Sequence, residues 1–239
     1  MTAPLPGGTP LLELRGVSAG YGPYRALFDV SLEVAEASTV ALLGPNGAGK
    51  TTVARLCSGL VRPTSGRVVF AGAEITGRPP WRIARAGVSH APEGRSVFAS
   101  LTVEENLALE LASLGRRGMA SALARAYDLF PQLSGRRRQL AGTLSGGEQR
   151  MLVLARVLAH PPRLLVVDEL SLGLAPVVLE QVYATLHTVR DAGTSMLVIE
   201  QHASHALALA DRVVVLDKGT VMYAGPTAEL GDLRTRFLG

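Results

Sequence analysis

The stretch Gly44–Thr52 reads GPNGAGKTT, preceded by the apolar run Val40–Leu43 and followed by a helix-like pattern toward Leu56. It matches the phosphate-binding loop GxxxxGK(S/T) set between a strand and a helix. Gly47 and Gly49 let backbone N–H groups turn toward the β- and γ-phosphates of a nucleotide, and the helix N-terminus adds its positive dipole end. Gly44, Pro45, Asn46 and Ala48 complete the cradle. Lys50 reaches phosphate oxygens, Thr51 offers its hydroxyl to Mg2+, and Thr52 stands beside it at the helix start. An ordinary glycine turn is the competing reading; at average composition such a string arises by chance in roughly one chain in a hundred. The flanking strand and helix lower that figure. Lys occurs only at Lys50 and Lys218, and the other basic residues of the 24 are Arg. A Lys kept inside a glycine loop indicates that a compact ammonium is wanted there, because a planar guanidinium fork would not fit.

Working outward, Thr39–Leu43, Leu164–Val167 and Met196–Ile199 are short continuous apolar runs, as expected of strands covered on both faces of a parallel sheet. Leu11–Val17, Arg25–Val34 and Arg67–Ala71 alternate or carry β-branched residues between glycines, the pattern of half-buried antiparallel strands. Helical periodicity runs over Leu101–Leu114, Met119–Phe130, Gly146–Leu158 and Pro176–Arg190. The first two follow one another with no strand between, so a helical insertion over about residues 94–159 is expected in a parallel core. Residues 1–10 read as a flexible Pro/Gly tail, without the basic-then-apolar pattern of a secretory signal. No internal repeat is seen, so residues 11–239 are expected to form one domain.

Composition narrows the function. No run approaches the roughly 18 consecutive apolar residues of a membrane span. A net charge of +4 would suit nucleic acid or an anionic membrane face, but aromatics are 5% and are not interleaved with the basic residues. Nucleic acid is therefore not expected as a partner, and Arg136–Arg138 read as a solvated face. The single cysteine, Cys57, is expected to be a small buried hydrophobe.

More than a hundred residues beyond the glycine loop, Arg163–Glu169 reads RLLVVDE, a buried strand ending in two carboxylates. That arrangement brings an acid to the metal beside a phosphate-binding loop. Asp168 is positioned to hold Mg2+ through water, and Glu169, one residue further, to orient or deprotonate an attacking water. Strand-end acidic pairs alone more often cap the next element.

Leu144–Gln149 reads LSGGEQ and leads into the helical stretch RMLVLARVLA. Alone, Ser145 with Gly146 and Gly147 would pass as a helix N-cap. Beside the two preceding motifs it resembles the signature of the ABC ATPases, and the resemblance covers essentially the whole chain. It implies an α/β fold with a P-loop NTPase (RecA-like) core, a mainly parallel sheet, an antiparallel β subdomain and a helical insertion. It implies ATP and Mg2+ as cofactors. Ser145, Gly146, Gly147 and Glu148 would face the γ-phosphate held by a second ATPase subunit, so that ATP is clamped between two chains. Tyr21 in GYG matches the aromatic that stacks on adenine, and His202 the switch histidine. Three positions depart from the family pattern. Glu93 stands where Gln is common as metal ligand and sensor, Leu170 where Pro follows the catalytic acid, and Ala175 where Asp is usual in the dimer-contacting loop.

Within that family PEGRSVFASLTVEENL, DELSLGLAP and VIEQH look like the ATP-binding subunits of branched-chain amino-acid importers, the LivF type. That resemblance implies a different ATPase chain as partner, two transmembrane permease subunits, an extracytoplasmic substrate-binding protein, and a place on the cytoplasmic face of a bacterial cell membrane. Urea-import ATPases look similar. A P-loop kinase or GTPase would have no use for LSGGEQ, whereas a soluble ABC protein of repair or translation would carry coiled-coil insertions or tandem ATPase domains. A weakly hydrolysing regulatory subunit would not be expected to keep Glu169 and His202.

Overall fold

The computed structural model describes residues 10–230 apart from Arg95, Ala112, Ser113 and His202, and all but the side chain of Glu110. Strands β1 (Leu12–Tyr21) and β2 (Tyr24–Val34) form a hairpin about Gly22 and Pro23, and with β4 (Ser65–Phe70) and β5 (Ala73–Glu74) make a four-stranded antiparallel sheet ordered β2-β1-β4-β5. The second sheet is ordered β10-β9-β3-β8-β7-β6, where β3 is Thr39–Leu43, β6 Val88–Ala91, β7 Leu164–Asp168, β8 Ser195–Glu200, β9 Arg212–Asp217 and β10 Thr220–Pro226. All its pairings are parallel except that of β9 with β10.

The continuous apolar runs are explained by two-sided burial. In β3, Ala41 and Leu43 point into one apolar cluster while Val40 and Leu42 point into the other. Strand β7 divides in the same way, with Leu165 and Val167 opposite Leu164 and Val166. One cluster lies against the antiparallel sheet and α1 (Lys50–Cys57); the other lies beneath α3 (Val103–Leu111), α4 (Gly115–Leu129), α6 (Gly146–Ala159), α7 (Pro176–Asp191) and α8 (Ala203–Leu209). Such a sandwich leaves no face where a polar residue could alternate. Cys57 lies fully buried in the first cluster, and burial pushes its thiol up to about 12.

The observed boundaries differ locally from the periodicity. Helix α3 starts at Val103 because Thr102 caps it: the Glu105 carboxylate accepts from the Thr102 N–H at 2.7 Å while the Thr102 hydroxyl accepts from the Glu105 N–H at 3.2 Å. That reciprocal pair is a capping box, which sets the start more firmly than the apolar spacing does. Strand β1 runs on to Tyr21, past three register irregularities. Helix α2 (Pro80–Arg85), the short α5 (Pro131–Ser134) and α8, and strands β5, β9 and β10, complete the described α-helices and strands. No helix among the described residues is long and apolar enough to cross a membrane.

Candidate functional site

The strands β3, β6, β7 and β8 are parallel, so their C-terminal ends meet along one edge of the sheet, where open α/β folds bind ligands. From β3 the chain enters the glycine loop. Gly49, at φ 102°, is the N-cap of α1 and offers no side-chain cap, so the first N–H groups of the helix remain directed outward. A Cβ there would lie 2.7 Å from the Ala26 carbonyl oxygen, which is why glycine is required. Gly47, at φ 79°, is exposed with Pro45 and Asn46, whereas Ala48 is buried and its carbonyl accepts from the Gly219 N–H at 2.9 Å. Lys50 is 3% exposed, and its ammonium donates to the carbonyls of Gly44 at 2.9 Å and Pro45 at 3.1 Å and pairs with Glu169 Oε1 at 3.1 Å. Thr51 is half-buried and Thr52 is buried.

Strand β7 delivers the acids. Asp168 is buried; Oδ1 accepts from the Thr51 hydroxyl at 3.4 Å, while buried Oδ2 has no hydrogen-bond partner. Burial, with the nearby carboxylates of Glu169 and Glu93, pushes Asp168 up to about 6 against the opposing effects of Thr51 and Lys50. A buried carboxylate oxygen without a donor, beside a hydroxyl, is a hard-oxygen donor set short of a cation, which fits Mg2+. Glu169 has φ 46°, a left-handed conformation rare for a non-glycine residue and costing about 1–3 kcal/mol. Its N–H donates to the Ile199 carbonyl at 2.9 Å. The next residue, Leu170, is fully buried and contributes about 1.5–3 kcal/mol by leaving water, enough to offset the strain. A buried leucine therefore anchors the turn where the family pattern has Pro.

Glu93 follows β6 and is exposed, near Asp168. Sequence reasoning left its negative charge unanswered. The answer is Arg150 on α6, a buried guanidinium that donates to the carbonyls of Pro92 at 3.3 Å and Gly94 at 2.9 Å and feels the charges of Glu93, Glu200 and Asp168. Glu93, Gly94 and Arg150, together with Gly146, Gln149 and the loop Leu172–Leu174, line a cleft of about 260 Å3. Tyr21, at the end of β1, lies beside the last turn of α1. The Arg55 guanidinium sits 5.8 Å from its ring centroid and donates to its hydroxyl at 3.1 Å.

Ser145 is the N-cap of α6, exposed, its hydroxyl accepting from the Glu148 N–H at 3.3 Å; the Glu148 carboxylate accepts from the Ser145 N–H at 2.9 Å and pairs with Arg136 at 2.9 Å. Gly146 is open to solvent, whereas a Cβ on Gly147 would lie 2.9 Å from Val178 of α7. The structure thus brings Lys50, Thr51, Asp168 and Glu169 into one cluster through direct contacts, while Ser145–Glu148 form a separate turn. His202 lies outside the described residues. Sequence reasoning missed the carboxylate of Glu200, quoted only within VIEQH, along with its partners Ser171 and Tyr183.

A glycine loop at a helix N-terminus, with a buried lysine and two strand-end carboxylates, defines a nucleotide-binding protein of the P-loop class. Residues 27–171 match the family model described as ABC transporter. The chain is 42% identical over 232 residues, 96% of its length and 100% of the relative's, to the high-affinity branched-chain amino acid transport ATP-binding protein BraG of Pseudomonas aeruginosa. It is 35% identical to the probable branched-chain amino acid transport ATP-binding protein LivF of Archaeoglobus fulgidus, over 90% of this chain and 91% of that one. The fold matches the ADP conformation of an ATP-binding cassette of an ABC transporter with a TM-score of 0.84 at 24% identity, covering 95% of this chain and 96% of the other. The chain belongs to the ABC transporter family.

Proposed function

We propose that this chain is the ATP-binding and ATP-hydrolysing subunit of an ABC importer for branched-chain, hydrophobic amino acids. The observation that carries the reading is the cluster at the sheet edge, in which Lys50 lies 3.1 Å from Glu169 and Thr51 lies 3.4 Å from Asp168. The open N–H groups of the loop and of α1 cradle the β- and γ-phosphates, and the Lys50 ammonium exchanges its carbonyl partners for phosphate oxygens. Tyr21 stacks on adenine. Thr51, Asp168 and Glu93 hold Mg2+, which when bound offsets charge on the phosphate oxygens. Glu169 orients the attacking water and takes its proton, and His202 has the switch-histidine role that the resemblance implies.

The turn Ser145–Glu148, with Ser145 and Gly146 exposed, serves a nucleotide held by a second ATPase subunit, a different chain. Binding of two nucleotides closes the pair, the helical insertion of residues 94–159 transmits the closure to two transmembrane permease subunits, and hydrolysis resets it. The complex sits on the inner face of a bacterial cell membrane and takes its cargo from an extracytoplasmic binding protein. The amino-acid reading is supported by the identity to BraG over the whole of that relative.

The test is Glu169→Gln in the complete complex. We expect ATP turnover to fall by about 10²–10⁴-fold while Mg-ATP binding stays within about threefold. Unchanged turnover would remove Glu169 from its role. Leucine uptake driven by ATP in reconstituted vesicles checks the cargo, and uptake of urea in its place would favour the related urea importers.

A further inference from the structure

Glu200 ends β8 and is 1% exposed, a depth at which an ionised carboxylate costs several kcal/mol unless its charge is held by hydrogen bonds. Three donors hold it: the Ser171 N–H at 3.0 Å, the Ser171 hydroxyl, and the Tyr183 hydroxyl of α7 at 3.1 Å. Ser171 lies two residues beyond Glu169. The residue before Glu200, Ile199, supplies the carbonyl that accepts from the Glu169 N–H at 2.9 Å. Two adjacent residues of β8 therefore grip the chain at Glu169 and at Ser171, one on each side of the buried Leu170. A left-handed non-glycine residue persists only where its surroundings over-determine it, and these two grips supply that constraint at φ 46°. Tyr183 in turn packs against the His205 ring of α8, centroid to centroid 5.0 Å, so the hub joins β8, α7, α8 and the turn after β7.

We propose that Glu200 is a positioning residue for ATP hydrolysis: its carboxylate holds the Glu169 turn through Ser171 and Tyr183, setting where the Glu169 carboxylate stands beside Lys50. This rests on the reading of Glu169 as the group that handles the attacking water. Glu200 itself touches neither Lys50 nor the glycine loop among the described contacts, and acts through the backbone. Displacing a reacting group by about 1 Å costs on the order of 10²-fold in rate, so loosening the turn lowers turnover without weakening nucleotide binding.

The experiment uses the complete complex and measures steady-state ATP turnover, KM and Mg-ATP affinity for four variants. Glu200→Met keeps the length of the side chain and removes both acceptors. Turnover is expected to fall by about 10–100-fold, with KM and affinity within about twofold of wild type. Glu200→Gln keeps an acceptor for the Ser171 N–H and the Tyr183 hydroxyl, and its amide can donate to the Ser171 hydroxyl, so it recovers most of the rate. In a Glu169→Gln background, Glu200→Met causes no further loss, because residues acting as one unit are not additive. Should Glu200→Met fail to fold, Ser171→Ala combined with Tyr183→Phe removes two of the three donors and tests the same grip. Normal turnover in these variants, a parallel rise in KM, or a full additional loss in the Glu169→Gln background overturns the proposal. Failure of the underlying reading looks different: Glu169→Gln then turns over normally by itself.

Discussion

The molecule has two glycine-bearing helix N-termini finished in opposite ways. Helix α1 starts at Gly49 with φ 102° and no side-chain cap, so its first N–H groups have no partner from their own turn's side chains. Helix α6 starts at Ser145, where a complete capping box with Glu148 occupies two of the donors that an anion would use. An uncapped, glycine-built N-terminus is a ready anion site, with a lysine at its first position to strengthen it. A self-capped N-terminus has two of its first four N–H groups already paired, and offers those two to an external phosphate only in exchange for bonds it already has. On the proposed function, the difference implies an order of events: the Gly44–Thr52 loop would take nucleotide first, and the Ser145 turn would engage when a nucleotide is presented to it from outside.

The largest expected effect separates the two ends by affinity. Lys50→Ala removes the buried ammonium, and a charge-assisted contact of about 3 kcal/mol corresponds to on the order of 100-fold weaker Mg-ATP binding by the full chain alone. Ser145→Ala, in the same titration calorimetry, leaves affinity within about twofold. Comparable losses from both substitutions would break the comparison, because the Ser145 turn would then be contributing within a single chain.

Much of this contrast was legible in the sequence. GPNGAGKTT, RLLVVDE and LSGGEQ each carry a local spacing rule, and the continuous apolar runs forecast the two-sided burial of β3, β7 and β8. What escaped is whatever depends on contacts between distant segments. Glu200 drew no reading of its own because its three donors come from Ser171 and Tyr183, both remote in sequence. Arg150 drew no reading of its own because its partners, the carbonyls of Pro92 and Gly94, lie more than fifty residues away. The left-handed backbone of Glu169 has no signature in residue type at all. Strands β9 and β10, from Arg212 to Pro226, lack a chemical motif and were passed over although RVVVLD is as apolar as the strands that were found.

A second pair of substitutions sharpens the comparison through stability. Gly49→Ala puts a Cβ at φ 102°, 2.6 Å from Leu27 Cδ2 and 2.7 Å from the Ala26 carbonyl. Strain plus overpacking predicts a loss of about 2–4 kcal/mol in chemical denaturation. Gly146→Ala meets no atom within 4 Å and sits in the first turn of α6. It is expected to be neutral or to gain up to about 1 kcal/mol, since alanine favours helix. Equal losses at the two sites would mean that the α6 N-terminus is as closely built as the glycine loop.

The smallest effect lies in the capping box itself. Ser145→Ala removes the hydroxyl that accepts from Glu148 N–H and should cost about 0.5–2 kcal/mol in the full chain. The loss should also depend on pH. Partial burial tends to raise Glu148, but its hydrogen bonds with Ser145 and the charge of Arg136 outweigh this and hold the carboxyl below its ordinary value of 4.5. A depressed carboxyl contributes stability that is present above the unfolded-state value and is lost as pH falls through the folded one. Wild type should therefore lose stability below about pH 4.5 more steeply than Ser145→Ala, so the gap between their melting temperatures narrows on acidification. A gap that stays constant from pH 7 to pH 3.5 would show that the box is not what holds the α6 N-terminus. The order of engagement inferred from its self-satisfied donors would fall with it.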